Sequence, residues 1–245
     1  MTRPALWRRL LAEFAGTLLL VTAVVGSGIM AATLSPGDAG LRLLESSVAT
    51  AFALASLILM VGPVSGAHLN PVVSAADWYL GRRTGAGLPA RDLAGYVAAQ
   101  TTGAIGGAVL ANLMFGLPAV TASGTHRAAG HLWLGEVVAT AGLILLVFAL
   151  ARAGRLPVAP AAVGAYIGGA YWFTSSTSFA NPAVTVGRAF TDTFAGIAPA
   201  SVPAFVAAQL AGLIVGVGLL LALYPVAAVA PAPALSPVAS PVEPS

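Results

Sequence analysis

The sequence predicts an all-α membrane protein: six transmembrane helices plus two re-entrant half-helices, arranged as an inverted repeat. Three observations predict it. Only 19 of the 245 residues are charged and 58% are apolar, against about 25% charged in an ordinary soluble domain. The charges are spaced so that the gaps between them have membrane-spanning length. Two of those gaps run on past a span into an Asn-Pro pair. So few charges cannot cover a soluble surface. A soluble enzyme, a nucleic-acid binder and a disordered chain are therefore excluded.

A membrane-spanning helix needs about 20 apolar residues. Residues 10–37 carry one charge, Glu13, and residues 132–151 carry only Glu136. Residues 46–76, 93–126, 156–187 and 193–242 carry none. These runs place spans near 10–32, 43–62, 92–115, 133–151, 157–175 and 203–224. Runs 46–76 and 156–187 are too long for one span and too short for two. Their surplus holds Asn70-Pro71 and Asn181-Pro182. Asn is a strong N-cap and Pro is at home in the first turn of a helix. Each surplus therefore reads as chain that dips into the membrane and starts a short helix there. Non-helical backbone at that depth must be buried in protein or line a water-filled cavity.

Arg8-Arg9 before an apolar run resembles the start of a signal peptide, but the run is long, contains Glu13 and precedes five more spans. All eleven basic residues are Arg. With the N-terminus cytoplasmic, Arg3, Arg8, Arg9, Arg82, Arg83, Arg91, Arg152 and Arg155 fall inside, and only Arg42, Arg127 and Arg188 outside. This asymmetry sets the orientation and puts both termini in the cytoplasm of a cell whose inner (plasma) membrane holds the chain. Residues 226–245, rich in Pro and Ala, read as a disordered tail behind a channel domain over 1–225.

The halves repeat one another, about 5–115 and 131–225. Val97-Ala98-Ala99-Gln100 recurs as Val206-Ala207-Ala208-Gln209, and Asn70-Pro71-Val72-Val73 as Asn181-Pro182-Ala183-Val184. Glu13 and Glu136 each sit near the start of a half. Three spans per half invert the second half, and inverted repeats put a site at the midplane where the halves meet. There the two Asn-Pro helices would present positive dipole ends and Asn70 and Asn181 would offer amide donors. Such a site repels cations and protons and orients neutral hydrogen-bonding solutes.

Two Asn-Pro-Ala-like boxes in this topology, with Ser65-Gly66-Ala67-His68-Leu69-Asn70-Pro71, resemble the aquaporin (major intrinsic protein) family over about residues 5–225. The resemblance implies a homotetramer with one pore per subunit, membrane lipids around it, small neutral solutes within it, and no cofactor, bound metal or nucleic-acid partner. It implies pore boxes at Asn70, Pro71, Val72 and at Asn181, Pro182, Ala183. The first box departs from the family pattern in having Val72. At the family's outer constriction the positions fall on Thr50, Gly169, Ser178 and Val184, with Phe52 and Tyr171 two residues beyond the first two. The family usually has Arg where Val184 stands. The stretch from Ser175 to Ile197 looks like a bacterial subgroup associated with arsenic-resistance operons, which makes the same replacement. The implied function is a passive channel with a wide filter, passing arsenite-like trivalent metalloid hydroxides, glycerol-like solutes and water. A glycerol and water facilitator without a metalloid role is the alternative, and an energised secondary transporter the more distant one.

Other residues have two readings. Arg188, four residues after Val184, lines the outer vestibule or pairs with Asp192. Glu13 and Glu136 relay protons or, better supported, accept backbone N–H bonds from the re-entrant loops. His68 titrates at the cytoplasmic mouth or is a fixed loop-supporting hydrogen-bonding group. His126 and His131 are too few for a metal site. Tyr171-Trp172-Phe173 reads as an interfacial belt. Gly103, Gly106, Gly107, Gly212, Gly216 and Gly218 read as close helix contacts. No catalytic set is visible, so the chain is not read as an enzyme. The chain contains no Cys, the usual mercurial target in channels. Stopped-flow solute flux should therefore be unchanged by low mercurial concentrations, and inhibition would contradict this reading.

Overall fold

A computed structural model describes residues 3–82, 85 and 87–224. Eight α-helices, linked by turns and short 3₁₀ segments, make up the described chain. They are α1 (Leu6–Leu34), α2 (Ala39–Ser65), α3 (Pro71–Gly81), α4 (Ala90–Met114), α5 (Gly130–Arg152), α6 (Ala159–Phe173), α7 (Pro182–Gly187) and α8 (Val202–Leu223). The tail expected over 226–245 and Arg83 lie outside the described residues.

Five of these helices are long and apolar enough to cross a membrane: α1, α2, α4, α5 and α8 with its leading turn. The sixth expected crossing, 157–175, is shorter than predicted. Its α-helix has 15 residues, preceded by a 3₁₀ turn at Leu156–Val158. Pro157 and Pro160 explain this start, because neither can donate a backbone hydrogen bond. At the rises of the two helix types the combined element spans about 28 Å, close to the roughly 30 Å of a hydrocarbon core. Large apolar side chains such as Phe52 (72% exposed) and Ile214 (73%) face outward, as in a protein whose solvent is lipid. The chain is a multi-pass membrane protein.

Local chemistry sets the helix ends. Asp38 caps α2 by accepting the Leu41 N–H at 2.9 Å. Gly66, at φ 91°, closes it in the left-handed region, where glycine carries no Cβ penalty. Asn70 and Asn181 cap α3 and α7, and Pro71 and Pro182 occupy their first turns. α3 and α7 are the two half-helices. They are unequal, at 11 and 6 residues, and α7 passes into a 3₁₀ turn at Arg188–Phe190.

The helices pair in the same way in each half, α1 against α4 and α5 against α8. Small residues allow the close approach. A Cβ on Gly103 or Gly107 would strike the Phe14 or Leu18 carbonyl of α1. On Gly212 it would lie 2.7 Å from the Val137 carbonyl, and on Gly216 2.6 Å from that of Ala141. Two glycines expected at such contacts are not there. Gly218 faces open space, and Gly106 meets only the end of the Leu18 side chain, at 3.4 Å. The helical period turns both away from the contact stripe.

Overpacking costs about 1–3 kcal/mol where side chains can yield, and backbone carbonyls cannot. Gly103→Val should therefore lower the thermal unfolding midpoint in detergent by several degrees, whereas Gly218→Val should leave it nearly unchanged.

Candidate functional site

Following the chain from the N-terminus, the six crossings put the 66–70 loop and α3 on the N-terminal face, and the 174–181 loop and α7 on the far face. Both loops dip inward, and their helix starts meet. Asn70 Nδ2 donates to the Ala180 carbonyl at 2.7 Å, and Asn181 Nδ2 donates to the Leu69 carbonyl at 2.7 Å. Each Asn thus uses one amide proton to tie its loop to the other. Its Oδ1 caps its own helix, accepting Val72 N–H at 3.0 Å in one case and Ala183 and Val184 N–H at 3.0 and 3.2 Å in the other. A primary amide has two N–H donors, so one remains on each Asn.

The loops are not relaxed backbone. Ala67, Leu69, Thr177, Ser178 and Ala180 all have φ between 49° and 62°. Each such non-glycine residue costs of order 1–3 kcal/mol and persists only where its surroundings hold it. Two fully buried carboxylates provide that hold. Glu13 accepts Ser65 Oγ–H (2.6 Å) and His68 N–H (3.0 Å) on Oε1, and Leu69 N–H (2.6 Å) and Gln100 Nε2–H (2.8 Å) on Oε2. Glu136 accepts Phe179 N–H (2.8 Å), Ala180 N–H (2.9 Å) and Gln209 Nε2–H (2.6 Å). Gln100 also donates to Ser74 Oγ, and Gln209 to Thr185 Oγ1. Neither Gln was singled out as a site residue, although the repeated Val-Ala-Ala-Gln was the available signal.

Between the loops and the long helices runs a cavity of about 470 Å³. At the N-terminal face it is lined by Arg3, Arg9, His68 and Asp77; its middle holds Asn70 and Asn181; beyond them come Thr50, Ser178, Val184 and Arg188. One wall is loop backbone, residues 66–70 and 178–181, and the other is apolar, with Leu20, Val24, Leu54, Leu143, Val163 and Ile167. Gly169 is not on this wall. It lies on the exposed side of α6, and a Cβ there would touch only the Phe173 ring, at 3.9 Å. Tyr171 is the α6 side chain turned inward at this level, its hydroxyl 3.2 Å from Thr50 Oγ1. Phe52 points outward. Of the first box, Asn70 lines the cavity, while Val72 is fully buried in the packing behind it.

His68 shares a hydrogen bond with Ser74 Oγ (3.0 Å), and its Nε2 is 3.7 Å from Asp77 Oδ2. Arg188 does not pair with Asp192, whose Oδ1 accepts the Gly124 N–H at 3.0 Å. Its Nε–H instead donates to the Ala195 carbonyl, and its Cζ stands 3.4 Å from the Phe179 ring centroid. Arg127, in the far-face loop, lies against the same ring at 5.1 Å, and burial pushes its pKa below the ordinary arginine value. Among the described residues no three His, Asp or Glu cluster as a metal site would need.

Residues 1–178 match the sequence profile of the family described as "Major intrinsic protein". The chain belongs to the major intrinsic protein family. Members of this family are channels, not enzymes. The match ends three residues before Asn181, so the second loop rests on the geometry above. The chain is 49% identical over 215 residues to an aquaglyceroporin, AqpS, of Rhizobium meliloti, covering 88% of this chain and 89% of that one. It is 34% identical over 227 residues to a glycerol uptake facilitator protein of Pseudomonas aeruginosa, covering 80% and 78%. The fold is also that of the aquaglyceroporin from Plasmodium falciparum in its X-ray structure, with TM-score 0.65, 20% identity, and 90% and 96% of the two chains covered.

An amide in place of Glu136 would set an NH₂ group against N–H donors and leave a buried donor unpaired, at about 1–3 kcal/mol. Glu136→Gln should therefore reduce the yield of folded protein and lower its unfolding midpoint in detergent, without changing the ratio of solute fluxes in whatever protein folds.

Proposed function

We propose that this major intrinsic protein is a passive channel for small uncharged solutes. In this reading the channel domain spans 1–225 and assembles as a homotetramer in the inner membrane with its termini cytoplasmic. Its pore passes glycerol-like polyols, trivalent metalloid hydroxides and water.

The observation that carries the reading is the two-walled cavity. A solute leaving water must recover its lost hydrogen bonds inside. The loop backbone offers carbonyl acceptors, and Asn70 and Asn181 offer one spare N–H each. The apolar wall offers nothing polar. A polyol or a metalloid hydroxide can turn its hydroxyls to one wall and its remaining surface to the other. A bare ion cannot, because stripping its water costs an idealised 20 kcal/mol or so in a low-dielectric interior. The Asn pair carries this argument better than the helix dipoles, since α7 has only six residues.

In this reading Val184 takes the place of a bulky donor at the narrow outer level, with Thr50, Ser178 and Tyr171 around it, which widens the passage. The sequence similarity to the glycerol facilitator and the aquaglyceroporin supports glycerol-like solutes. Metalloid hydroxides follow from the same chemistry, being neutral and hydroxyl-bearing.

Proteoliposome light scattering tests the proposal. Native protein should conduct glycerol and arsenite as well as water. Val184→Arg should cut the two larger fluxes at least fivefold while sparing water. Native vesicles that conduct water alone would refute the wide filter, and saturable, proton-dependent uptake would refute the passive channel.

A further inference from the structure

We infer that Arg188 is a specificity-determining residue of this pore, the fixed positive charge that bars cations and protons at its far mouth. The inference rests on the channel reading above.

Arg188 is only 4% exposed yet lines the cavity, on the same side as Val184 and one helical turn further out. A guanidinium carries five N–H donors and cannot be deprotonated. Through Nε, Arg188 spends one donor on the Ala195 carbonyl. Among the described residues its four Nη protons have no acceptor, and its Nη atoms are not sealed away as that of Arg9 is. They have only the cavity's contents to bond.

The guanidinium is also held firmly. It lies flat against Phe179, whose ring is itself pinned edge-on by Phe205 at 5.2 Å. Ala195 belongs to the far-face segment clamped by Arg188's own carbonyl, which accepts the Ile197 N–H at 3.3 Å. A planar cation on an aromatic face needs no counter-ion to stay in place.

Among the described residues no carboxylate forms an ion pair with it. The ion pairs among the described residues join Arg9 and Arg91 to Asp92 and His68 to Asp77, all toward the other face. Asp192 serves Gly124, and Glu136 serves the Phe179 and Ala180 N–H groups. Arg127, on the same ring, adds a second positive charge behind the first. The far mouth therefore presents a guanidinium in no ion pair, with Nη donors that no described residue accepts, and Glu136 acts on it only from a distance. Neutral solutes with hydroxyl oxygens can bond there, and cations meet repulsion.

The test reads proton and sodium conductance beside glycerol flux in proteoliposomes of the full chain. Arg188→Gln should raise proton or sodium leak at least tenfold while glycerol still passes, and Arg188→Lys should keep the leak near the native value. Val184→Asp provides an independent route that leaves Arg188 in place. An aspartate one turn away should pair with the guanidinium, cancel the charge and raise the leak in the same way. Unchanged leak in Val184→Asp, or in a folded Arg188→Gln, overturns the assignment while native glycerol flux keeps the channel reading. Native vesicles without neutral-solute flux would sink that reading instead.

Discussion

Everything in this structure depends on keeping irregular backbone stable at membrane depth. Lipid offers no partner for a bare N–H or C=O, and the two re-entrant loops expose several of each. They also hold five residues in the left-handed region, a combined strain of several kcal/mol on the usual scale. Glu13 and Glu136 answer both problems together. Each binds two consecutive loop N–H groups and a glutamine from the neighbouring crossing. A carboxylate suits this position because it only accepts, and every surrounding group donates. The neutral amide of Gln100 or Gln209 then completes the network without adding a buried counter-charge.

Fixing the N–H groups against the carboxylates has a consequence for the other side of each loop. With its donors turned away toward Glu13 and Glu136, the backbone that faces the cavity is left with acceptors. Side-chain N–H donors stand beside that backbone where Asn70 and Asn181 meet, and again at Arg188. The polar wall thus combines loop backbone, the two Asn amides and, farther out, a guanidinium, against a wall of Leu, Val and Ile. This order follows from how the loops are held.

Most of the fold was legible in the sequence because membrane depth is written in charge spacing. Gaps between 19 charges are enough to place helices to within a few residues. What failed was local. The crossing at residue 156 opens as a 3₁₀ turn and becomes α-helical only at Ala159, because two prolines interrupt it. Gly106 and Gly218 share a composition with their neighbours but not a face. In the site the Asn-Pro pairs and the two glutamates stood out as rare polar groups among apolar ones. Gly169 against Tyr171 could not be decided that way. A shift of two residues on a helix turns a side chain by more than half a turn, and only the packing of α6 on α2 brings Tyr171 to Thr50.

With Arg188 as the proposed charge barrier, placing it one turn beyond position 184 separates two tasks that one side chain would otherwise combine. A guanidinium at position 184 would repel cations and also fill the narrow level. One turn outward, it leaves that level open yet still acts on it. At an effective dielectric constant near 20, a unit charge about 6 Å away repels a cation by roughly 3 kcal/mol, about a hundredfold in rate. A neutral polyol feels none of that and meets only Val184, Thr50 and Ser178. In the proposed pore, width is set by what stands at 184, and charge exclusion by what stands at 188. A filter built in this way can admit bulkier neutral solutes without opening to ions.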